Sequence, residues 1–357
     1  METERKLLMG NEAVGLGAIL AGCRYYFGYP ITPQNELTEY MAHNIPAAGG
    51  SFIQSESELA AINMVTGAAA AGARAMTSSS SPGISLMQEG ISYMAGMEVP
   101  AVIVNVVRGG PGLGGIGPAQ SDYFQSVKGG GHGDYHTIVL APHIVQEMMD
   151  FTMRAFDLAD EYRMPVLVLS DGLLGQMSET VDIPCDFKPR VFEKPWAMTG
   201  CAGREPNEVR SLFLDPAGLE LHNQHLFRKY DLLKREAVCE EFMTEDAEFL
   251  IAAYGISGRI CKAVVEQGRR EGIRIGLLRP ITLYPLADAI IRDRARIAKN
   301  VLVVELSMGQ FVEDVRRIVG YTTPVHFTGR TGGMVFSADD IMEKVRSIHF
   351  NQEGNTP

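Results

Sequence analysis

"AVIVNVV", residues 101–107, carries no charge and lacks the apolar–polar alternation of a half-exposed strand. Its β-branched residues suit a pleated backbone, and seven residues fall far short of the roughly 20 that cross a membrane as a helix. Continuous hydrophobicity implies cover on both faces, as in a parallel sheet with helices on each side. Outward from it, "AMTSSSS" (75–81), "HTIVLAP" (136–142) and "MPVLVLSDG" (164–172) repeat the texture between Gly- and Pro-punctuated turns, with helices predicted at 11–21, 57–72, 83–96 and 143–161. The expected fold class is α/β, with an open parallel sheet over residues 1–185.

Residues 186–245 change character. The stretch is Pro-rich and weakly periodic until "LELHNQHLFRKYDLLKREAV" (219–238), which reads as a polar amphipathic helix, so a wrapping linker is expected. Alternation resumes with strand candidates "FLIAAYG", "IRIGLLRP", "NVLVVEL" and "TPVHFTG" around helices near 257–271, 286–298 and 311–319. A second, smaller α/β domain is therefore expected over 246–350, with a frayed tail at 351–357. The net charge of −11 offers no concentrated basic face for nucleic acid. No apolar run is long enough to predict a membrane helix, and "METERKLLMGNEA" lacks a signal core, which predicts a cytoplasmic protein. Cysteines 23, 185, 201, 239 and 261 stand singly without a CxxC pair, so neither a disulfide framework nor a zinc or iron–sulfur site is expected.

Chemistry is concentrated in four motifs. In "FIQSESELAAINMVTGAAAAGA" (52–73), Ser55 and Glu58 form the S-x-x-E pattern of a capping box. Equally, Glu58 ahead of Leu59, Ala60, Ala61 and Ile62 is placed to exchange a proton with a bound heterocycle, with Glu56 as the fallback carboxylate. In "YFGYPITPQNE" (26–36), Thr32 and Pro33 suit a helix start, yet prolines 30 and 33 also fix the backbone around one hydroxyl at a strand end, where open α/β sheets bind ligands. "NVVRGGPGLGGIG" (105–117) matches the dinucleotide pattern through Gly112, Gly114 and Gly117. Pro118 and "AQSDYF" do not supply the strand-to-helix packing that motif needs, so the reading fails. That leaves Arg108, open to a surface ion pair or to gripping a carboxylate with its planar fork. "TSSSSPGISLMQEG" (77–90) reads as a helix start with Ser81 as cap and Pro82 first, its extra hydroxyls free for a ligand or an interface. His132 and His136 have no further ligand spaced to complete a metal site and read as solvated loop residues.

The stretches "GNEAVGLGAILAGCRYYFGYPITPQNE" (10–36), "QSESELAAINMVTGAAAAGARAMTSSSSPGISLMQEG" (54–90), "VIVNVVRGGPGLG" (102–114) and "LIAAYGISGRICKAVVEQGRREGIRIGLLRPITLYPL" (250–286) resemble the alpha subunit of 2-oxoacid:ferredoxin oxidoreductases. "GGPGLG" and "KGGGHGDYH" are most similar to the 3-methyl-2-oxobutanoate (2-oxoisovalerate) type, with the 2-oxoglutarate type as the alternative. The resemblance implies a pyrimidine-binding thiamine diphosphate domain followed by a transketolase C-terminal-like domain. It places Glu58, nine residues before Gly67, on N1′ of the cofactor's aminopyrimidine, with Pro30 and Ile31 also against the cofactor. Thr32 would hydrogen-bond the 2-oxoacid and Arg108 would pair with its carboxylate. Thiamine diphosphate would be shared with a beta subunit carrying the diphosphate-binding domain and Mg2+. The [4Fe–4S] clusters would sit on ferredoxin-like and gamma subunits, coenzyme A would be co-substrate, ferredoxin the electron acceptor, and the assembly a dimer of heteromers. "SDGLLGQ" (170–176) lacks the leading glycine of a metal motif, so Asp171 reads as structural. A dicarboxylate substrate would need a second cation, for which Lys128 is the candidate. A transketolase- or decarboxylase-like half enzyme and a non-catalytic scaffold paralogue are remoter alternatives.

Overall fold

The computed structural model describes residues 3–353. In chain order its first part contains β1 (Thr3–Met9), α1 (Gly10–Leu20), β2 (Tyr25–Gly28), α2 (Asn35–Asn44), β3 (Ser51–Gln54), α3 (Glu58–Ala70), β4 (Ala75–Ser79), α4 (Pro82–Met97) and β5 (Ala101–Val107). There follow α5 (Tyr123–Lys128), β6 (Ile138–Leu140), α6 (Val145–Tyr162), β7 (Pro165–Asp171), α7 (Gly172–Gln176) and β8 (Ser178–Pro184). The remainder holds α8 (Pro216–Leu233), β9 (Cys239–Phe242), β10 (Phe249–Ala252), α9 (Gly255–Arg270), β11 (Ile275–Pro280), β12 (Thr282–Tyr284), α10 (Asp288–Ile297), β13 (Asn300–Glu305), α11 (Phe311–Val319), β14 (Val325–Gly329) and α12 (Ala338–Glu353).

The opening stretch is β5, at the centre of a seven-stranded sheet ordered β12-β6-β7-β5-β4-β2-β3. All of these strands run parallel except β12, which pairs antiparallel with β6. Every residue of β5 is buried. Val102, Val104 and Val106 join a core with α1, α2 and α6, while Ile103 and Val107 join one with α3 and α4. The period of two puts successive residues on opposite faces, and helices on both sides remove the need for alternation. Each buried Val or Ile contributes roughly 1.5–3 kcal/mol, so this strand is a large contributor to the stability of the sheet.

A five-stranded sheet, ordered β14-β13-β10-β11-β9, is built from residues after 238. Two antiparallel edges depart from the all-parallel expectation. Strand β9 pairs antiparallel with β11, and β12 leaves the second sheet's chain to pair with β6, matching Thr282 with Leu140 and Tyr284 with Val139. Antiparallel pairing of β1 with β8 was invisible in the sequence because both strands are largely exposed and polar. The helix expected over 219–238 runs over Pro216–Leu233; it starts earlier because Asp215 accepts a hydrogen bond from Gly218 N at 2.9 Å with Pro216 in the first turn. Its Leu226, Tyr230 and Leu233 are buried in the first sheet's core. At the other end α12 continues to Glu353, past the start of the tail expected at 351, and residues 354–357 lie outside those described. All five cysteines are free, and burial pushes the Cys23 thiol up to about 12.

Candidate active site

Strands β2, β4 and β5 end side by side, and the segments leaving their C-terminal ends carry Pro30, Ile31, Thr32, Ser81 and Arg108. That rim is where open parallel sheets bind ligands. Helix α3 begins next to it. Its cap is Ser57, whose Oγ accepts from Ala60 N at 3.2 Å. The capping box expected of Ser55 and Glu58 is not formed, because Glu58 is already the first helical residue. Ser55 Oγ instead donates to Ser57 O at 2.8 Å and Gly28 O at 3.2 Å, tying the approach to α3 onto the end of β2. Glu58 is 6 % exposed, and among the described residues its carboxylate has no hydrogen bond or ion pair. Glu56 is exposed to solvent, which separates the two carboxylates.

Beyond Glu58 lies the start of α4. Ser81 is its cap residue and Pro82 its first, as the sequence predicts, although the Ser81 hydroxyl turns away to the Arg108 main chain. A Cβ on Gly83 would run into Ser79 Oγ and come within 2.5 Å of Glu58 Oε1, so only glycine admits both groups. The hydroxyls of Thr77, Ser79 and Ser80 are buried without partners. Ser78 is the exception, bonded to Gln34 Oε1 and Tyr26 OH at 2.6 Å each. The surroundings of Glu58 are thus hydroxyl-rich at the carboxylate and apolar only along the helix face bearing Ala61 and Ile62.

Thr32 does not cap a helix. Gln34 N first closes a turn onto Ile31 O at 3.1 Å, and α2 starts at Asn35 with Gln34 as its cap residue. Pro33 is consumed by the turn. Thr32 Oγ accepts from Asn35 Nδ2 at 3.3 Å, leaving its own proton available, while Pro30 is exposed and Ile31 half-buried. The Thr32 carbonyl accepts from Arg108 Nη1 at 2.9 Å.

Arg108 is 7 % exposed and has no acidic partner among the described residues. Its Nη2 donates to Leu113 O at 3.0 Å, and its buried Nε has no partner. A buried cation held only by two carbonyls is costly unless an anion arrives. The glycine-rich loop after it folds back so that Pro118 bridges to Arg108, and it opens no helix, in keeping with the rejected dinucleotide reading. Arg108 N donates to Ser81 Oγ at 3.1 Å, so one helix start touches Arg108 through Ser81 and Glu58 through Gly83. Glu58, Thr32 and Arg108 therefore converge on one rim.

The remaining expectations fare differently. Lys128 lies at the far end of α5, paired with Asp314 at 2.7 and 2.8 Å, and is no second cation for this rim. His136 is half-buried, stacked on Tyr284 at 4.3 Å and edge-on to Tyr230, because β12 brings an aromatic residue over it; His132 is exposed. Burial pushes the His136 imidazole down. Asp171 caps α7, accepting from Leu173 N at 2.9 Å and Leu174 N at 3.1 Å.

Sequence reasoning missed a polar relay beneath Arg108. Asn105 Nδ2 donates to Asp122 Oδ2 at 2.9 Å, and Asn105 Oδ1 accepts from Ser81 N at 3.1 Å. Burial pushes the Asp122 carboxyl up, against hydrogen bonds from Ser81 and Asn105. Asn105, the one polar residue of β5, was the available signal. Asp122, Ser81 and Arg108 line a cavity of about 590 Å³ whose far wall includes Met308, Gln310 and Thr331 from the second sheet's loops. A larger cavity of about 670 Å³, walled by His136, Tyr230 and Tyr284, contains none of the three predicted site residues.

The rim fits an aminopyrimidine on the side this chain supplies: a buried carboxylate without an internal partner, beside unpartnered hydroxyls and a glycine that keeps the approach open. Among the described residues no group of three His, Cys, Asp or Glu side chains could hold a metal. Fold and rim together define an α/β protein with a ligand site at the carboxyl ends of a parallel sheet. Residues 16–211 match the family model of the pyruvate flavodoxin/ferredoxin oxidoreductase thiamine-diphosphate-binding region, and residues 247–341 that of pyruvate:ferredoxin oxidoreductase core domain II. The chain belongs to the 2-oxoacid:ferredoxin oxidoreductase family, in its alpha-type subunits. It is 50 % identical over 344 residues to ketoisovalerate oxidoreductase subunit VorB of Methanothermobacter marburgensis, covering 96 % of this chain and 97 % of that one. To 2-oxoglutarate synthase subunit KorA of the same organism it is 37 % identical over 373 residues, covering 97 % and 100 %. The 2-oxoglutarate:ferredoxin oxidoreductase of Magnetococcus marinus, solved with 2-oxoglutarate, coenzyme A and succinyl-CoA bound, is similar with a TM-score of 0.86 at 30 % identity. That match covers 96 % of this chain, which spans 65 % of the length of the other. No helix among the described residues is long and apolar enough to cross a membrane.

Proposed function

We propose that this chain is the alpha-type half of a cytoplasmic enzyme that oxidatively decarboxylates a branched-chain 2-oxoacid, 2-oxoisovalerate foremost, to the acyl-CoA with reduction of ferredoxin. The observation that carries the reading is the pair of unmatched buried charges at one rim: Glu58 without a donor and Arg108 without an anion. Thiamine diphosphate, when bound, supplies a carbon nucleophile for the 2-oxo carbon and a sink for the electrons left by carbon dioxide. Glu58 would bind the pyrimidine nitrogen and hold or return its proton, with Gly83 leaving the carboxylate accessible. Arg108 takes the substrate carboxylate on the N–H groups its two carbonyl partners leave free. Thr32, its hydroxyl oriented by Asn35, donates to the other end of the substrate, and Pro30 and Ile31 form the wall beside the cofactor.

The diphosphate, Mg2+ and [4Fe–4S] clusters belong in this reading to beta, gamma and ferredoxin-like subunits. Support comes from exposed apolar residues flanking Glu58: Leu59 and, on the edge strand β3, Ile53. Higher identity to the ketoisovalerate subunit than to 2-oxoglutarate subunits, and Arg108 as the one cation lining the cavity, favour a monocarboxylic substrate.

The test is the initial rate of the purified complex on 2-oxoisovalerate, pyruvate and 2-oxoglutarate, with coenzyme A and a viologen acceptor. Expected are the highest kcat/KM on 2-oxoisovalerate and a loss of turnover on the order of 10²- to 10⁴-fold in Glu58→Gln with the complex intact. Full turnover by that variant would refute the role of Glu58; preference for 2-oxoglutarate would refute the substrate.

A further inference from the structure

The loop between β5 and Pro118 has a defined shape and an unusual surface. Gly109 N donates to Gly117 O at 2.9 Å and Gly115 N to Gly109 O at 2.8 Å, closing the loop on itself. Gly114 lies at φ +58°, where a Cβ would also strike the Gly109 carbonyl. Gly117 backs onto Gly333 of the second sheet's loops, so closely that a Cβ there would stand 2.8 Å from the Gly333 Cα. What this frame presents is apolar: Leu113 is 81 % exposed and Ile116 64 %. Two large apolar side chains held out from a loop of glycines are costly to leave in water, which points to something that covers them.

Their neighbour is the unmatched cation. Leu113 O is the acceptor of Arg108 Nη2 at 3.0 Å, and the Ile116 carbonyl lies 3.4 Å from where Gly172 would carry a Cβ, a point that Pro33 of the Thr32 turn also crowds. We propose that the loop 109–117 selects the substrate, Leu113 and Ile116 closing on the branched alkyl chain of a 2-oxoacid whose carboxylate Arg108 holds. A five-carbon branched acid extends about 4 Å from its carboxylate carbon to its methyls, so a substrate anchored on Arg108 cannot reach far from this loop. Because the loop is locked by its own hydrogen bonds, its apolar brim discriminates by shape. Selection against a dicarboxylate follows from the adjoining cavity, which Arg108 and the first residues of the loop, Gly109 to Gly112, line. Arg108 is the one cation among the residues lining it, and Asp122 faces into it, so a second carboxylate would meet no partner and one like charge. The inference rests on the function proposed above, and deepens it by naming the side chains that choose the substrate.

The test compares kcat/KM of the assembled complex on 2-oxoisovalerate, pyruvate and 2-oxoglutarate for wild type, Leu113→Ala, Ile116→Ala, the double variant and Leu113→Lys. In the double variant 2-oxoisovalerate should fall roughly 10- to 100-fold and pyruvate by no more than about threefold, the scale of lost methyl contacts in a pocket. Leu113→Lys should raise 2-oxoglutarate relative to 2-oxoisovalerate by about tenfold or more, since it supplies the absent cation. Parallel losses on all three substrates, with subunits separating on size exclusion, would make Leu113 and Ile116 subunit contacts and overturn the proposal. An active complex with unchanged substrate ratios in every variant would overturn it too, leaving the enzymatic reading intact. A wild-type complex that turns over no 2-oxoacid would overturn both together.

Discussion

Among the described residues two arginines are almost fully buried, and they differ in everything except burial. Arg279, 2 % exposed on β11, meets Glu147 of α6 with two hydrogen bonds at 2.8 and 3.1 Å and Glu240 of β9 at 2.5 Å. His143 adds a 2.7 Å bond to the same Glu147. Although burial alone would raise it, that bond and the Arg279 charge hold the Glu147 carboxyl below its usual range. Arg108 has only carbonyls. The acids divide the same way: Asp171 is 2 % exposed and satisfied by main-chain amides, Glu58 is 6 % exposed and satisfied by nothing. Matched burial ties α6 to the second sheet, whereas the unmatched Arg108 and Glu58 share the rim; other unpartnered buried atoms, such as Arg163 Nε and Tyr230 OH, lie away from it. Burial alone therefore does not separate the two pairs; the missing partner does.

Exchanging the two arginines for methionine would test that division. Arg279→Met leaves Glu147 and Glu240 facing an unfilled centre and should destabilise the full chain by about 3–5 kcal/mol, read from its denaturant midpoint. Its kcat/KM per folded complex should hold, since no group of the rim touches it. Arg108→Met should do the converse. Removing an uncompensated charge should leave the midpoint within about 1 kcal/mol of wild type or above it, while kcat/KM on the 2-oxoacid falls by about 2–4 kcal/mol in transition-state terms, with KM bearing much of the loss. Equal destabilisation by both would break the comparison and return Arg108 to a structural role.

How much of this was legible depended on the range of the physics involved. Strand β5, the starts of α3 and α4 and the four parallel strands β10, β11, β13 and β14 follow from local patterning to within a few residues, whereas β9 falls in the stretch expected to be a linker. The turn at Ile31–Gln34 was not, because Thr-Pro before a polar run looks the same whether the helix begins at once or two residues later. The capping box failed for a related reason: two serines and two glutamates in 55–58 offer more than one register, and the choice of Ser57 rests on where β3 delivers the chain. His136 and Lys128 were misread because their partners, Tyr284 and Asp314, lie more than 140 residues away. The site residues themselves were legible only through family resemblance. Residue types and spacing left Glu58 divided between cap and catalyst, and the absence of any internal partner is a three-dimensional fact.

The acids give the subtlest version of the same contrast. Asp171 titrates at about 6, pushed up by burial against hydrogen bonds from Leu174, Leu173 and Ile256. Since its folded value lies above its unfolded one of about 3.9, it stabilises the fold fully below pH 4, and that contribution disappears as the pH rises through about 6. The shift of about two units corresponds to about 2–3 kcal/mol. Asp171→Asn retains an oxygen for the two amides at the start of α7 but has no proton to lose. Its stability relative to wild type should therefore improve by that amount between about pH 4.5 and 7.5, measured as the difference in urea midpoints of the full chains at each pH. A difference that stays flat would mean that the amides solvate the ionised Asp171 as well as water does. Satisfied burial would then carry no penalty, and the contrast with Glu58, which has no internal partner among the described residues, would sharpen.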